Sequence, residues 1–155
     1  MTGRRDPAKY ADLTAFQEQR LAVMDRDGWA CRFERAITGL PAGETHARGF
    51  RIAEWAGNVA WVRCGATDGL ETAHLFRRAK CGLTLTDDGL PLKWHPLVAI
   101  AGCRDCHRRY DARTCRDEVR PPADAVDLAR RLIRHTLAAA RARGEVAIDV
   151  DLSNL

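Results

Sequence analysis

Cys103-Arg-Asp-Cys106-His107 is the segment that most restricts what this chain can fold into. Two thiols three positions apart at a turn can grip one tetrahedral zinc ion, with Zn–S distances of about 2.3 Å. A structural zinc site wants four ligands, so two more must come from elsewhere. Cys64 is followed by Gly65, and glycine lets a backbone fold around a metal. The partner expected three residues before Cys64 is missing, because that position holds Trp61. The fourth ligand is therefore distant: Cys31 is the first choice, with Cys81 and Cys115 as alternatives. A lone cysteine is otherwise a small buried hydrophobe, which is the default for Cys81 and Cys115.

The compartment bears on that reading. No stretch approaches 18 apolar residues and the N-terminus lacks an apolar signal region, so neither a membrane span nor a secretory signal is expected. The expected location is cytoplasmic, in a bacterial or phage-encoded protein, where six cysteines read as metal ligands and free thiols rather than disulfides. At 155 residues the chain fits a single domain over 1–155. Aromatic residues are only 6% of the chain, and a core so short of large side chains benefits from a staple.

Periodicity outlines the elements. Tyr10, Leu13, Phe16, Leu21 and Met24 recur near helical spacing, which predicts an amphipathic helix over 9–26 that ends at Asp27-Gly28. Residues 38–50 read as a loop. Val59–Val62 and Gly69–Phe76 read as short strands, and 80–96 as loop-like. Leu97–Ala101 is an apolar run short enough to be a buried strand, and a helix should begin at Cys103. After Pro121-Pro122 a third helix is expected over 122–144. Ala125, Leu128, Ala129, Leu132 and Ile133 would line its core face, with Val126 and Leu137 at the edge. Arg130, Arg131, Arg134 and Arg141 fall opposite, and Gly144 stops it. Val146–Val150 reads as a closing strand.

The histidines suggest a second site. His107 and Asp111 are four apart on one helix, so an imidazole and a carboxylate share a face and could share a divalent ion. His74, on a preceding strand, could activate a water as general base. His46 and His135 read as structural. The net charge is +4, and of the 25 Lys and Arg residues only three are Lys, leaving 22 Arg. Arginine suits phosphate and guanine edges, although GC-rich coding explains the bias equally well.

Three segments, Arg26-Asp-Gly-Trp-Ala-Cys31, Cys64-Gly-Ala-Thr-Asp-Gly-Leu-Glu-Thr-Ala-His74-Leu-Phe and Leu97-Val-Ala-Ile-Ala-Gly-Cys103-Arg-Asp-Cys106-His107, together resemble the HNH (ββα-metal) endonuclease family. The resemblance runs from about Arg26 to Arg113. It implies an α+β fold with a small ββα-metal core over 27–113, stapled by a structural zinc on Cys31, Cys64, Cys103 and Cys106 and flanked by the N- and C-terminal helices. It implies a metal-dependent endonuclease hydrolysing phosphodiester bonds in DNA, with RNA as the other nucleic acid to consider. His74 would be the general base. His107, with Asp111, would ligate the catalytic Mg2+ or another divalent cation. Arg77, Arg78, Lys80 and Arg108 would hold phosphates. Nicking units of this type often act in pairs, so a homodimer is an expected option.

The sequence departs from the family pattern at three places. Ala73 stands where an acidic metal ligand often precedes the base. Val98 stands near the position of the Asn that orients the base, where His95 is the nearby polar candidate. Trp61 replaces a knuckle cysteine. Two alternatives follow: a zinc-bound nucleic-acid-binding module that kept the fold without the chemistry, and an unrelated zinc-stabilised interaction domain docking through its C-terminal helix.

Overall fold

The computed structural model describes residues 7–38, 59–77, 81, 83–112 and 118–145. The loop expected over 38–50 (beyond Thr38), the strand over 146–150, and His46, Arg78, Lys80 and Cys115 lie outside the described residues. Helix α1 (Pro7–Asp27) precedes strands β1 (Glu34–Thr38), β2 (Val59–Arg63) and β3 (Leu70–His74). Two 3-10 turns, Leu92–Trp94 and Pro96–Val98, lead into β4 (Ala99–Cys103), which runs directly into helix α2 (Arg104–Asp111). Strand β5 (Val119–Arg120) and helix α3 (Ala123–Ala142) complete the described chain. The strands form two small antiparallel sheets, one ordered β2-β1-β5 and the other a β3-β4 pair. This is a small α+β fold.

The strand expected over 97–101 is displaced towards the C-terminus. Pro96 has no N–H to give a ladder and instead opens a 3-10 turn, so pairing begins at Ala99. Strands β1 and β5 were not expected from the sequence. Glu34-Arg-Ala-Ile-Thr38 has little apolar alternation, and β1 exists because β2 pairs along one edge and β5 along the other.

Helix α1 buries only part of the face its apolar residues suggested: Met24 is buried and Phe16 meets the Trp94 ring edge-on. Leu13 and Leu21 are 53% and 55% exposed, whereas Gln19, Val23, Met24 and Asp27 are buried. These four fall at i, i+4, i+5 and i+8 and turn towards β4, where Val23 and Met24 pack on Ala99 and Ala101. Gln19 is drawn in by hydrogen bonding, its Nε2 donating to the carbonyls of Lys93 and His95 at 3.1 and 3.2 Å. The helix ends as expected. Gly28 takes a left-handed φ of +69°, and the amide of Trp29 donates back to the Met24 carbonyl at 2.9 Å.

Helix α3 is also turned slightly from its expected register. Ala125, Ala129, Ile133, Thr136, Leu137 and Ala140 are buried, but Leu128 is 44% exposed. Ala125, Ala129, Ile133 and Leu137 join one core with Phe33, Ile100, Val119 and the cysteines at 31, 64, 103 and 106. Gly102 lets that core close. A Cβ there would lie 2.6 Å from the Phe33 ring, so glycine leaves the space that Phe33 occupies beside β4.

Candidate metal centre and active site

Pairing of β1 with β2 solves the problem posed by Trp61. The ladder continues past Glu34 and Arg63: the Cys64 amide donates to the Phe33 carbonyl at 2.8 Å. The Cys31 amide then donates to Ala66 at 2.8 Å, and the Gly65 amide to Cys31 at 3.1 Å. Gly65, at φ +66°, turns the chain back in the left-handed region that side chains resist. Cys31 and Cys64, distant in sequence, thus sit side by side. Trp61 faces elsewhere, stacked under the Arg120 guanidinium at 4.2 Å.

The second pair comes from the β4–α2 junction. Cys103 ends the strand and caps the helix, its Sγ accepting the Cys106 amide at 3.5 Å. The four Sγ atoms of Cys31, Cys64, Cys103 and Cys106 all lie within 4.8 Å of one another, and all four residues are buried. The Cys64 and Cys103 sulfurs are 3.9 Å apart. A tetrahedron with Zn–S bonds of about 2.3 Å has edges of about 3.8 Å, so the cage fits such an ion. The site could hold a metal ion such as zinc. Burial, then the neighbouring Cys106 and Cys103, push Cys64 up; the Cys31 hydrogen bond, then burial, push Cys106 far above the ordinary thiol range. Arg35 on β1 already contributes positive charge, its Nε donating to the Cys106 sulfur at 3.2 Å. Cys81 is not in this group. It is a buried thiol raised to about 11 by burial alone.

His74, His95 and His107 lie on β3, on the loop before β4 and on α2. His74 closes β3, and its Nε2 is 3.1 Å from the Lys93 carbonyl. A carbonyl only accepts, so Nε2 carries the proton. The ring meets Trp94 edge-on, with centroids 6.4 Å apart. The Lys93 carbonyl that orients His74 is held from behind by Gln19. No side chain at 98 takes part: Val98 is fully buried, and its carbonyl accepts the Leu75 amide at 2.8 Å.

His95 is buried within the same loop. Its Nδ1 accepts the Leu97 amide at 3.1 Å, capping the second 3-10 turn, and its Nε2 lies 3.2 Å from Asp88. Both ring nitrogens therefore serve the loop.

His107 projects from α2 between two carboxylates. Nδ1 is 2.8 Å from Glu71 Oε2, and Nε2 is 3.3 Å from Asp111 Oδ2. Three residues along α2, the Tyr110 hydroxyl donates to the Leu75 carbonyl at 2.6 Å, tying the helix to the residue after His74. Glu71 was not singled out as a site residue from the sequence. The usable signal was strand alternation, which puts Glu71 and Ala73 on one face of β3 and Thr72 and His74 on the other. The hydrogen bond from His107, with help from Arg104, holds the Glu71 carboxyl below its usual range against a small burial effect. Among the described residues, the ligand atoms that gather as a metal cage are the four sulfurs, with no histidine among them. Arg77 and Arg108 are exposed. No helix among the described residues is long and apolar enough to cross a membrane.

Comparison with protein-family models, curated proteins and solved structures gives no match for this chain.

Proposed function

We propose that this chain is a metal-dependent HNH endonuclease that hydrolyses phosphodiester bonds in DNA, with a structural zinc on its four cysteines. One observation carries the reading. The antiparallel pair β3–β4, with His74 closing its first strand, runs without a break into the helix bearing His107, on a base of four clustered cysteines. The Tyr110–Leu75 hydrogen bond supports it by fastening the end of that first strand to the His107 helix.

In this reading His74 is the general base. With Nε2–H engaged by Lys93, Nδ1 takes the proton from the attacking water. His107 and Asp111 hold a divalent cation, Mg2+ or a relative, which when bound stabilises the charge on the phosphate and on the leaving oxygen. The Lys93 carbonyl takes the orienting part that the family gives to an asparagine, so Val98 is tolerated. His95 acts behind it by holding the loop, not on substrate. Arg77 and Arg108, with Arg78 and Lys80 continuing the basic run, bind phosphates of the duplex. Two copies would cut both strands, and the setting is the cytoplasm.

A second reading, a zinc-bound nucleic-acid-binding module without catalysis, is favoured by two observations. Ala73 presents a methyl where an acidic ligand is expected, and Nδ1 of His107 is engaged by a protein carboxylate, Glu71. Supercoiled plasmid incubated with the zinc-loaded protein and Mg2+, Mn2+ or EDTA separates the two. The nuclease reading expects nicked circles with either cation and none with EDTA. Plasmid that is retarded in a gel yet intact with every cation would replace it with the binding module.

A further inference from the structure

We infer that Glu71 is a positioning residue for His107: its carboxylate holds the imidazole so that Nε2, not Nδ1, faces Asp111 as the ligand nitrogen of a divalent-cation site. The inference rests on the proposed cation-binding role of His107 and Asp111. Because an ionised carboxylate only accepts, the 2.8 Å contact from Nδ1 to Glu71 Oε2 puts a proton on Nδ1. The nitrogen left for a cation is Nε2, 3.3 Å from Asp111 Oδ2. That separation suits neighbouring ligands of an octahedral cation, since bonds of about 2.1 Å place adjacent ligands about 3 Å apart.

The backbone explains why Glu71 can do this and why it is not itself a ligand. Register pairs Glu71 with Gly102, one residue before the Cys103 cap of α2, so its side chain reaches the first turns of that helix. It shares a strand face with Ala73, whose methyl offers no ligand, which leaves Glu71 as the acid that β3 supplies there. Yet Glu71 meets the ring on the nitrogen remote from Asp111. Its other oxygen accepts from Arg104 Nε at 3.2 Å, so both oxygens have partners. A carboxylate behind a metal-binding histidine orients the ring and raises its basicity, and losing one typically weakens binding about 10–100-fold.

The test is the Mn2+ affinity of the zinc-loaded full chain, measured by calorimetry for wild type, Glu71→Leu, Glu71→Gln and His107→Ala, with zinc content checked in each. Glu71→Leu should weaken Mn2+ about 10–100-fold at unchanged zinc content. Glu71→Gln, which keeps an oxygen for Nδ1–H, should recover most of that loss. Glu71→Leu binding like wild type while His107→Ala loses Mn2+ overturns the Glu71 role alone. Glu71→Gln falling as far as Glu71→Leu also overturns it, because charge rather than the hydrogen bond would then matter. Wild-type affinity in His107→Ala overturns the cation site and with it the inference. Should Glu71→Leu shed its zinc, the wild type decides: long-range 1H–15N spectra with Mg2+ should show His107 as the Nδ1–H tautomer, and an Nε2–H tautomer overturns the inference.

Discussion

The carboxylate of Asp27 ties the end of α1 to Arg32 nearby and to β4, 74 residues away. It accepts from Arg26 Nε at 2.7 Å, from Arg32 Nη1 at 3.3 Å and from the Ala101 amide at 2.8 Å. Placed at the end of α1, it opposes the helix dipole, so these partners are what keep it there. Burial acts to raise its pKa, but the Arg26 hydrogen bond, the Ala101 amide and the two guanidinium charges outweigh burial and hold it below the ordinary 3.8. A lowered folded pKa means the contribution is present above that ordinary value and is lost as pH falls through the folded one. Asp27→Asn should therefore cost about 1.5–3 kcal/mol at pH 7, as expected for hydrogen bonds to a charged group. In thermal unfolding its gap from wild type should close as the pH drops below about 4. A gap that stays constant from pH 7 to pH 3 would show that the charge contributes nothing. The same residue shows what sequence conceals: an aspartate at a helix end reads as a solvated terminus until the amide it caps is known.

Helix α1 makes the corresponding point about a whole element. Its existence and its stop at Asp27-Gly28 were legible, because periodicity and a glycine are local signals. Its inward face was legible only in part, through Met24, because Gln19 and Asp27 bury through backbone partners that lie in β4 and the loop before it. The two faces can be told apart by stability. Leu21→Lys should shift unfolding by less than about 0.5 kcal/mol, as exposed positions do. Met24→Ala should cost about 2–5 kcal/mol for a fully buried side chain. Equal costs in urea unfolding would contradict this placement. The cysteine cage divides the same way. Cys103 and Cys106 were readable from a three-residue spacing. Cys31 was the first choice over Cys81 and Cys115, and the reason it works is the β1–β2 ladder, which no local pattern announced. His107 and Asp111 were legible as a helical pair, whereas Glu71 required the register of β3 on β4.

For the molecule as a whole, the cage lies inside the core and not beside it: its four cysteines pack with Phe33, Ile100, Ala129 and Ile133. Removing the metal should therefore unfold the protein rather than merely inactivate it. Purified chain should carry about one zinc, and Cys31→Ser should lose both the zinc and the cooperative thermal transition. Cys81→Ser should keep the zinc, and its loss there would displace Cys31 from the ligand set. DNA binding should weaken steeply between about 50 and 200 mM salt as Arg–phosphate contacts release counterions. Binding that is flat over that range would remove nucleic acid as the partner. The central claim is that His74 takes a proton from the water that attacks DNA, and it is tested most directly by His74→Gly on an end-labelled duplex with Mg2+, with and without added imidazole. The account predicts cleavage reduced by at least about 100-fold and partly restored by imidazole at unchanged zinc content. Cleavage by His74→Gly at the wild-type rate would contradict it.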